Sequence, residues 1–167
     1  MKRRTAIIIT IVALIVPFLL LGTYAVSSLS HTPVTEAKTA PQSKYDVGAP
    51  DAGELLELVN AERAKYGVAP LVIDDRLNQS AQMKADDMVK YNYFGHVNHD
   101  GTRGFSYVFQ TAPNSCASAG ENIQASPSGT SRDAFDWWVQ SKPHHAAMID
   151  PTLVTTGFGV AHDDSIS

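Results

Sequence analysis

The feature that most constrains this chain is an uncharged apolar run near its N-terminus. Residues 5–30 contain no charged side chain, and they follow three consecutive cations at residues 2–4. A cationic start followed by an apolar core is typical of a secretory signal. Residues 6–26 are also long enough to cross a bilayer as a helix, at about 1.5 Å per residue. We therefore predict that residues 1–30 are either a cleaved signal peptide or a membrane-spanning signal anchor.

This reading also predicts where the rest of the chain lies. Cations that flank an apolar segment stay on the cytoplasmic side, so the remainder is expected outside the cytoplasm. It is either secreted or anchored to the outer face of the cytoplasmic membrane, and it contacts the membrane through residues 5–26 if they are uncleaved. Residues 31–50, with three prolines and no apolar periodicity, are predicted to be a flexible linker.

The charge balance excludes one class of partner. The chain has 13 Lys and Arg against 17 Asp and Glu, a net charge of −4. Three of the cations precede the apolar run, which leaves the exported part with 10 basic and 17 acidic side chains, a net charge of −7. Nucleic-acid binding needs clustered cations, so no nucleic-acid partner is expected. The single cysteine, Cys116, excludes an internal disulfide.

The remaining residues, 51–167, have the length of one domain. Their apolar periodicity and capping residues predict three or four helices with short, scattered strand segments. The predicted elements are a helix from Asp51 to Gly67, a helix capped by Asp74 or Asp75 that ends near Val89, loops over 91–104 and 113–120, a short helical turn over 105–109, a helix from Ser131 that Pro143 ends, and a strand over 154–161.

Candidate chemistry lies in the imidazole and carboxylate groups of three short motifs. His96, Glu121 and His144 are side chains that can hold Zn²⁺ or a similar ion. Their separations of 25 and 23 residues match no local metal signature. The residues alone therefore leave open whether these groups bind a ligand or satisfy buried backbone groups around loops.

The motifs in their order resemble the CAP superfamily, named for cysteine-rich secretory proteins, antigen 5 and pathogenesis-related proteins, in its short bacterial-type branch. The resemblance covers about residues 58–161. It implies an α+β fold: an α-β-α sandwich whose small, mostly antiparallel sheet lies between helical layers. It also implies a cleft with two histidines and two acidic residues. The matching segments are Leu58-Val59-Asn60-x-x-Arg63, Phe94-x-His96, Gly120-Glu121-Asn122-Ile123, Trp138-x-x-Ser141-x-x-His144 and Gly157-x-Gly159.

The resemblance assigns residues to this cleft one by one. His96 matches the first cleft histidine, Glu121 the glutamate of the Gly-Glu-Asn motif, and His144 the second histidine. Ser141 stands where eukaryotic members have the second glutamate, so the group of four is incomplete. Residues 162–167 are polar and acidic, where the family has an aromatic-rich strand, so the usual last strand is expected to be absent.

Two functions follow as hypotheses. The first is a non-enzymatic exported binding module with His96, Glu121 and His144 as its cleft, for a metal ion, a lipid, another small ligand or an extracellular partner. The alternative is a metal-dependent hydrolase in which His96 and His144 hold the metal and Glu121 is the general base. Zn²⁺ is the candidate cofactor in either case. A peptidase based on Cys116 is disfavoured, because that cysteine follows no recognisable strand-to-helix junction.

Overall fold

A computed structural model describes residues 5–15, 50–113, 116–126 and 129–163 of the chain. These residues combine helices with one small sheet, which confirms the predicted α+β class. The elements in chain order are β1 (Thr5–Ile15), α1 (Ala52–Lys65), β2 (Val72–Ile73), α2 (Asp75–Lys90), α3 (Ser106–Thr111), β3 (Cys116–Ser126), α4 (Ser131–Gln140), α5 (Lys142–Met148) and β4 (Thr155–Asp163).

The sheet is mixed: two of its three strand pairings are antiparallel, and the parallel pairing of β2 with β4 departs from the expected antiparallel arrangement. Its strand order is β2-β4-β1-β3. Strand β1 runs antiparallel to both of its neighbours, whereas β2 and β4 are parallel. Consequently β2, β3 and β4 all point the same way. The physical reason is that α4 and α5 form a crossover between β3 and β4, and such a crossover returns the chain in parallel.

Strand β1 comes from the predicted signal or anchor segment. Residues 7–12 are Ile, Ile, Ile, Thr, Ile and Val, all β-branched and therefore favoured in strands. In the part of the chain that the structure describes, no helix is long and apolar enough to cross a membrane. Residues 16–30 and nearly all of the predicted linker lie outside the described residues, so the boundaries at 30 and 50 stay predictions. Strand β4 is the last described strand in the chain, and its sheet neighbours are β2 and β1.

Apolar side chains are buried on both faces of the sheet, as a sandwich requires. One core lies beneath α2 and α3, and the other beneath α1, α4 and α5. The first comprises Leu77, Ala81, Ala85, Met88, Val108, Ala112, Ile123 and Ala161. The second comprises Leu55, Val59, Leu71, Ala134, Phe135, Trp138, Met148, Leu153 and Phe158.

Helix α2 lies unusually close to the backbone of β4. A Cβ atom built on Gly157 would lie 2.1 Å from the backbone carbon of Leu77, and one built on Gly159 would lie 2.3 Å from that of Ala81. Real side-chain atoms cannot approach so closely. The Gly-x-Gly motif therefore exists to let the helix rest directly on the strand.

The same helix supplies hydrogen-bond partners for backbone groups of β4 that β2 does not pair with. Strand β2 pairs only with the first two residues of β4. Beyond them, Asn78 accepts a hydrogen bond from the Phe158 N–H at 2.9 Å. The Gln82 amide both donates to the Val160 carbonyl at 2.8 Å and accepts from its N–H at 3.1 Å. Two side chains one helical turn apart thus take the place of a longer edge strand.

A buried guanidinium fixes the other helical layer. Arg63 has no exposed surface. It donates hydrogen bonds to the carbonyls of Ala69, Met148, Asp150 and Leu153 at 2.6–3.1 Å. Helix α1 is thereby tied to the end of α5 and to the turn that leads into β4.

The capping predictions hold in part. Asp51 caps α1 and Asp74 caps α2, each through its side-chain oxygen. Thr130, not Ser131, caps α4. Helix α4 already ends at Gln140, and Pro143 lies in the first turn of α5, where proline is tolerated.

One predicted loop is also wrong. Residues 116–120 belong to strand β3, because they pair with β1. Their small side chains gave no local strand signal.

The α2–β4 contact predicts a large cost for a single added methyl group. We expect Gly159→Ala to lower the free energy of unfolding by about 1–3 kcal/mol or more, because the new Cβ forces the helix off the strand. Gly95→Ala is the matched control, since nothing lies within 4 Å of its added Cβ. Urea denaturation of the two variants measures the difference, and equal stabilities would contradict the packing described here.

Candidate functional site

The structure brings the three candidate side chains to one place from three separate elements. His96 lies in the loop between α2 and α3, Glu121 in the middle of β3, and His144 on α5. Nδ1 of His96 is 2.8 Å from Oε1 of Glu121, and the His96 and His144 rings have centroids 6.4 Å apart. We call these three residues the His–Glu–His cluster.

Glu121 is the buried member of the cluster. Its side chain is 5% exposed, against 53% for His96. A Cβ atom on Gly104 would lie 2.0 Å from its Oε2, so only glycine at 104 leaves room for the carboxyl group. Among the described residues, Oε2 has no hydrogen-bond partner. Burial raises the pKa of Glu121, and the positive charges of His96 and Lys84 oppose that rise.

The loop that carries His96 is closed by backbone and side-chain bonds. The Gly104 N–H donates to the His96 carbonyl at 2.7 Å, and Val97 and Arg103 form an isolated antiparallel bridge. Asn98, buried inside the loop, donates from Nδ2 to the Arg103 carbonyl and to two hydroxyl groups. The position of His96 is therefore set by its loop as well as by Glu121.

His144 is held by its own helix and by the strand that carries Glu121. Its Nδ1 is 2.7 Å from Oγ of Ser141, and Nδ2 of Asn122 donates to its backbone carbonyl at 3.0 Å. The Trp137 ring packs edge-on at 4.8 Å. Burial, with a smaller effect from the charge of His96, lowers the pKa of His144. An imidazole with a pKa below about 6.5 is neutral at pH 7.

The two tryptophans are adjacent on α4 and therefore point about 100° apart around it. Trp138 is fully buried and donates from Nε1 to the Ile123 carbonyl at 3.3 Å, whereas Trp137 is 47% exposed beside His144. Phe94 and Val97, which flank His96 in the chain, are also about half exposed. We call Phe94, Val97 and Trp137, which are exposed and adjoin the cluster in sequence or by ring contact, the apolar rim.

A buried polar network behind the cluster was missed by sequence reasoning. Lys84 has no exposed surface, and its Nζ donates to Tyr93 Oη at 3.0 Å and to Asn98 Oδ1 at 2.8 Å. Tyr93 donates to Asp87, and Nδ1 of His99 lies 2.6 Å from the same carboxyl group. Burial lowers the pKa of Lys84, against the attraction of Glu121. A lysine inside a helical stripe gave no sign of this role.

His145 does not join the cluster. Its Nε2 lies 2.9 Å from Oε1 of Glu62, and its ring packs edge-on to Tyr66 at 5.2 Å. It is a neighbour of His144 in sequence only.

Several groups of the cluster that could hold a metal ion are turned toward the protein. Oε1 of Glu121 faces Nδ1 of His96, and Nδ1 of His144 faces Oγ of Ser141. The two Nε2 atoms and Oε2 of Glu121 are the donors left over, and zinc sites in proteins use three or four protein ligands. Over residues 5–15, 50–113, 116–126 and 129–163, no group of three or more His, Cys, Asp or Glu could hold a metal ion.

Comparison with known proteins agrees with the motifs. The model of the cysteine-rich secretory protein family (CAP) matches residues 56–167. The uncharacterised protein YkwD of Bacillus subtilis (strain 168) is 34% identical over 151 residues, which cover 84% of this chain and 54% of that protein. This chain therefore spans about half the length of that relative.

A solved structure shows the same fold. It is the crystal structure of an extracellular protein containing an SCP domain from Bacillus anthracis str. Ames. The match has a TM-score of 0.57 at 24% identity, and it covers 66% of this chain and 38% of that one.

The buried carboxyl group predicts a pH dependence with a definite sign. Because the pKa of Glu121 is raised above its ordinary 4.5, the folded protein holds this proton more tightly than the unfolded chain. The resulting stability is present below about pH 4 and is lost as the pH rises through the folded-state pKa. The free energy of unfolding of wild type minus that of Glu121→Gln should therefore fall as the pH rises from 4 to 8.

Denaturant titrations at several pH values measure this difference. Glu57→Gln is the control, because Glu57 is exposed on α1 and its replacement removes a carboxyl group without altering the buried site. A Glu121→Gln difference that stays flat or increases with pH would contradict the pKa that burial raises at Glu121.

Proposed function

The chain belongs to the cysteine-rich secretory protein (CAP) family, and from that premise we propose that it is a non-enzymatic binding module that works outside the cytoplasm. The His–Glu–His cluster, with its apolar rim, is the proposed ligand-binding surface. The exported location is supported by the cationic and apolar N-terminal sequence. The extracellular description of the Bacillus anthracis protein supports it as well.

The observation that carries this proposal is that the carboxyl group of the cluster is buried, whereas an imidazole and aromatic rings are exposed. Glu121 is buried under Gly104 and faces His96, so its carboxyl group is directed at the protein rather than at solvent. A general base must reach the proton that it removes, directly or through one water. The exposed groups are instead an imidazole and aromatic rings, which suit recognition of a ligand.

The chemistry of these exposed groups indicates a small amphiphilic ligand. Imidazole nitrogens can donate or accept a hydrogen bond, and Trp137 and Phe94 offer apolar surface beside them. A polar head on His96 and His144 with an apolar body on the rim would use both features. Such a ligand needs few polar groups, as is usual for small-molecule sites.

Octanoate, a carboxylate with a short apolar chain, is a suitable probe. In protein with isotope-labelled histidine, we expect octanoate to shift the imidazole signals of His96 and His144 together and saturably, while those of His99 and His145 stay in place. Trp137→Ala should weaken binding by about 2–10-fold, as expected for loss of one aromatic contact. Phe109→Ala is the matched control, since Phe109 is 56% exposed on α3 and outside the rim.

Two results would contradict the proposal. One is an octanoate response that is absent, or that is shared equally by all the histidines. The other is turnover of p-nitrophenyl octanoate at a rate that depends on His96, because a binding module leaves that ester intact.

A further inference from the structure

Strand β1 holds the two halves of the sheet together. It pairs along one edge with β4 from Thr5 to Ala13, and along the other with β3 from Ala6 to Ile15. Strand β3 has no other neighbour among the described strands. If β1 left the sheet, β3 and β4 would each expose a row of unpaired N–H and C=O groups, which is costly when the groups are buried.

The same residues begin the apolar run of the N-terminus. Strand β1 occupies the first half of residues 6–26, the stretch long enough to span a bilayer as a helix. A strand satisfies its backbone through neighbouring strands, whereas a segment inside lipid must satisfy its backbone within itself. One copy of residues 5–15 therefore cannot be in the sheet and in a bilayer at once.

The pairing of β1 reaches the candidate site directly. In the antiparallel register, Ile11 is opposite Glu121 and Thr10 is opposite Asn122. Glu121 contacts His96, and Asn122 holds the backbone of His144. Loss of β1 would release the strand that supplies both contacts.

The connection between β1 and the rest of the domain is long enough for such an exchange. Residues 27–51 lie between that apolar stretch and α1, and that length of chain can span about 80 Å when extended. The segment could reach a membrane without bringing the helical layers into it.

We propose that Thr5–Ile15 is a detachable strand for which the sheet and a lipid bilayer compete, and that its transfer to the bilayer takes apart the His–Glu–His cluster. The regulated site is the one of the proposed function, on which this part of the inference rests. The competition itself depends only on β1, β3, β4 and the apolar sequence. It makes the folded sheet and the membrane-inserted segment alternative states.

A cross-strand disulfide tests the competition in the full-length chain. Ala13 is opposite Ala119 in the register, and paired antiparallel residues have Cα atoms about 4.5–5.5 Å apart, within the range that a disulfide spans. In a Cys116→Ser background, Ala13→Cys with Ala119→Cys should form an intramolecular disulfide in aqueous buffer. Ala13→Cys with Ala125→Cys is the matched control and should not, because Ala125 is opposite Ile7.

Vesicles of equimolar phosphatidylcholine and phosphatidylglycerol supply the competing phase. They should lower the yield of the Ala13–Ala119 cross-link. Once the disulfide is formed, co-sedimentation with vesicles should fall at least about tenfold relative to the reduced protein, given the strong preference of such an apolar run for lipid. Near-ultraviolet circular dichroism of the reduced variants checks that they are folded.

Either of two outcomes would overturn the proposal. One is that, in folded protein without vesicles, both disulfides form equally or neither forms. The other is that the locked and reduced forms bind vesicles equally. Neither measurement involves the ligand. The octanoate titration, repeated on the locked form, reports on the proposed function separately.

Discussion

The direct contact between helix α2 and strand β4 is the constraint on which the rest of the molecule depends. Gly157 and Gly159 let two backbones meet, and Asn78 and Gln82 complete the hydrogen bonds of the strand. This contact sets the distance between one helical layer and the sheet. The loop that departs from the end of this helix carries His96, which reaches Glu121 on β3.

The candidate site is built around a carboxyl group that this packing buries. The carboxyl group of Glu121, in the middle of β3, lies in the interior, where burial raises its pKa. The imidazole of His96 is within hydrogen-bond distance of it, and the charge of the buried Lys84 attracts it. Each of these groups is costly to bury alone. Together they leave His96 as the exposed member of a cluster whose other contacts face inward, and this arrangement suits binding.

Sequence reasoning recovered what is local or carried by motifs. The Asp51 and Asp74 caps, the strand after Leu153 and the candidate residues His96, Glu121 and His144 could all be read from the chain. The strand state of residues 5–15, the extent of β3 and the mixed sheet could not, because each depends on pairing between distant segments. The Ser141–His144 contact was missed for a different reason: the two residues are close in sequence, but their contact needs the turn between α4 and α5.

The central claim is that the buried carboxylate of Glu121 holds the outward-facing imidazole of His96 through its Nδ1 proton. The protonation of that ring nitrogen can be observed directly from ¹⁵N shifts and long-range ¹H–¹⁵N couplings of labelled histidine at pH 8. We predict that Nδ1 of His96 carries a proton in the wild-type protein. An unprotonated Nδ1 would contradict it, because the carboxylate would then have no donor on His96 to accept from.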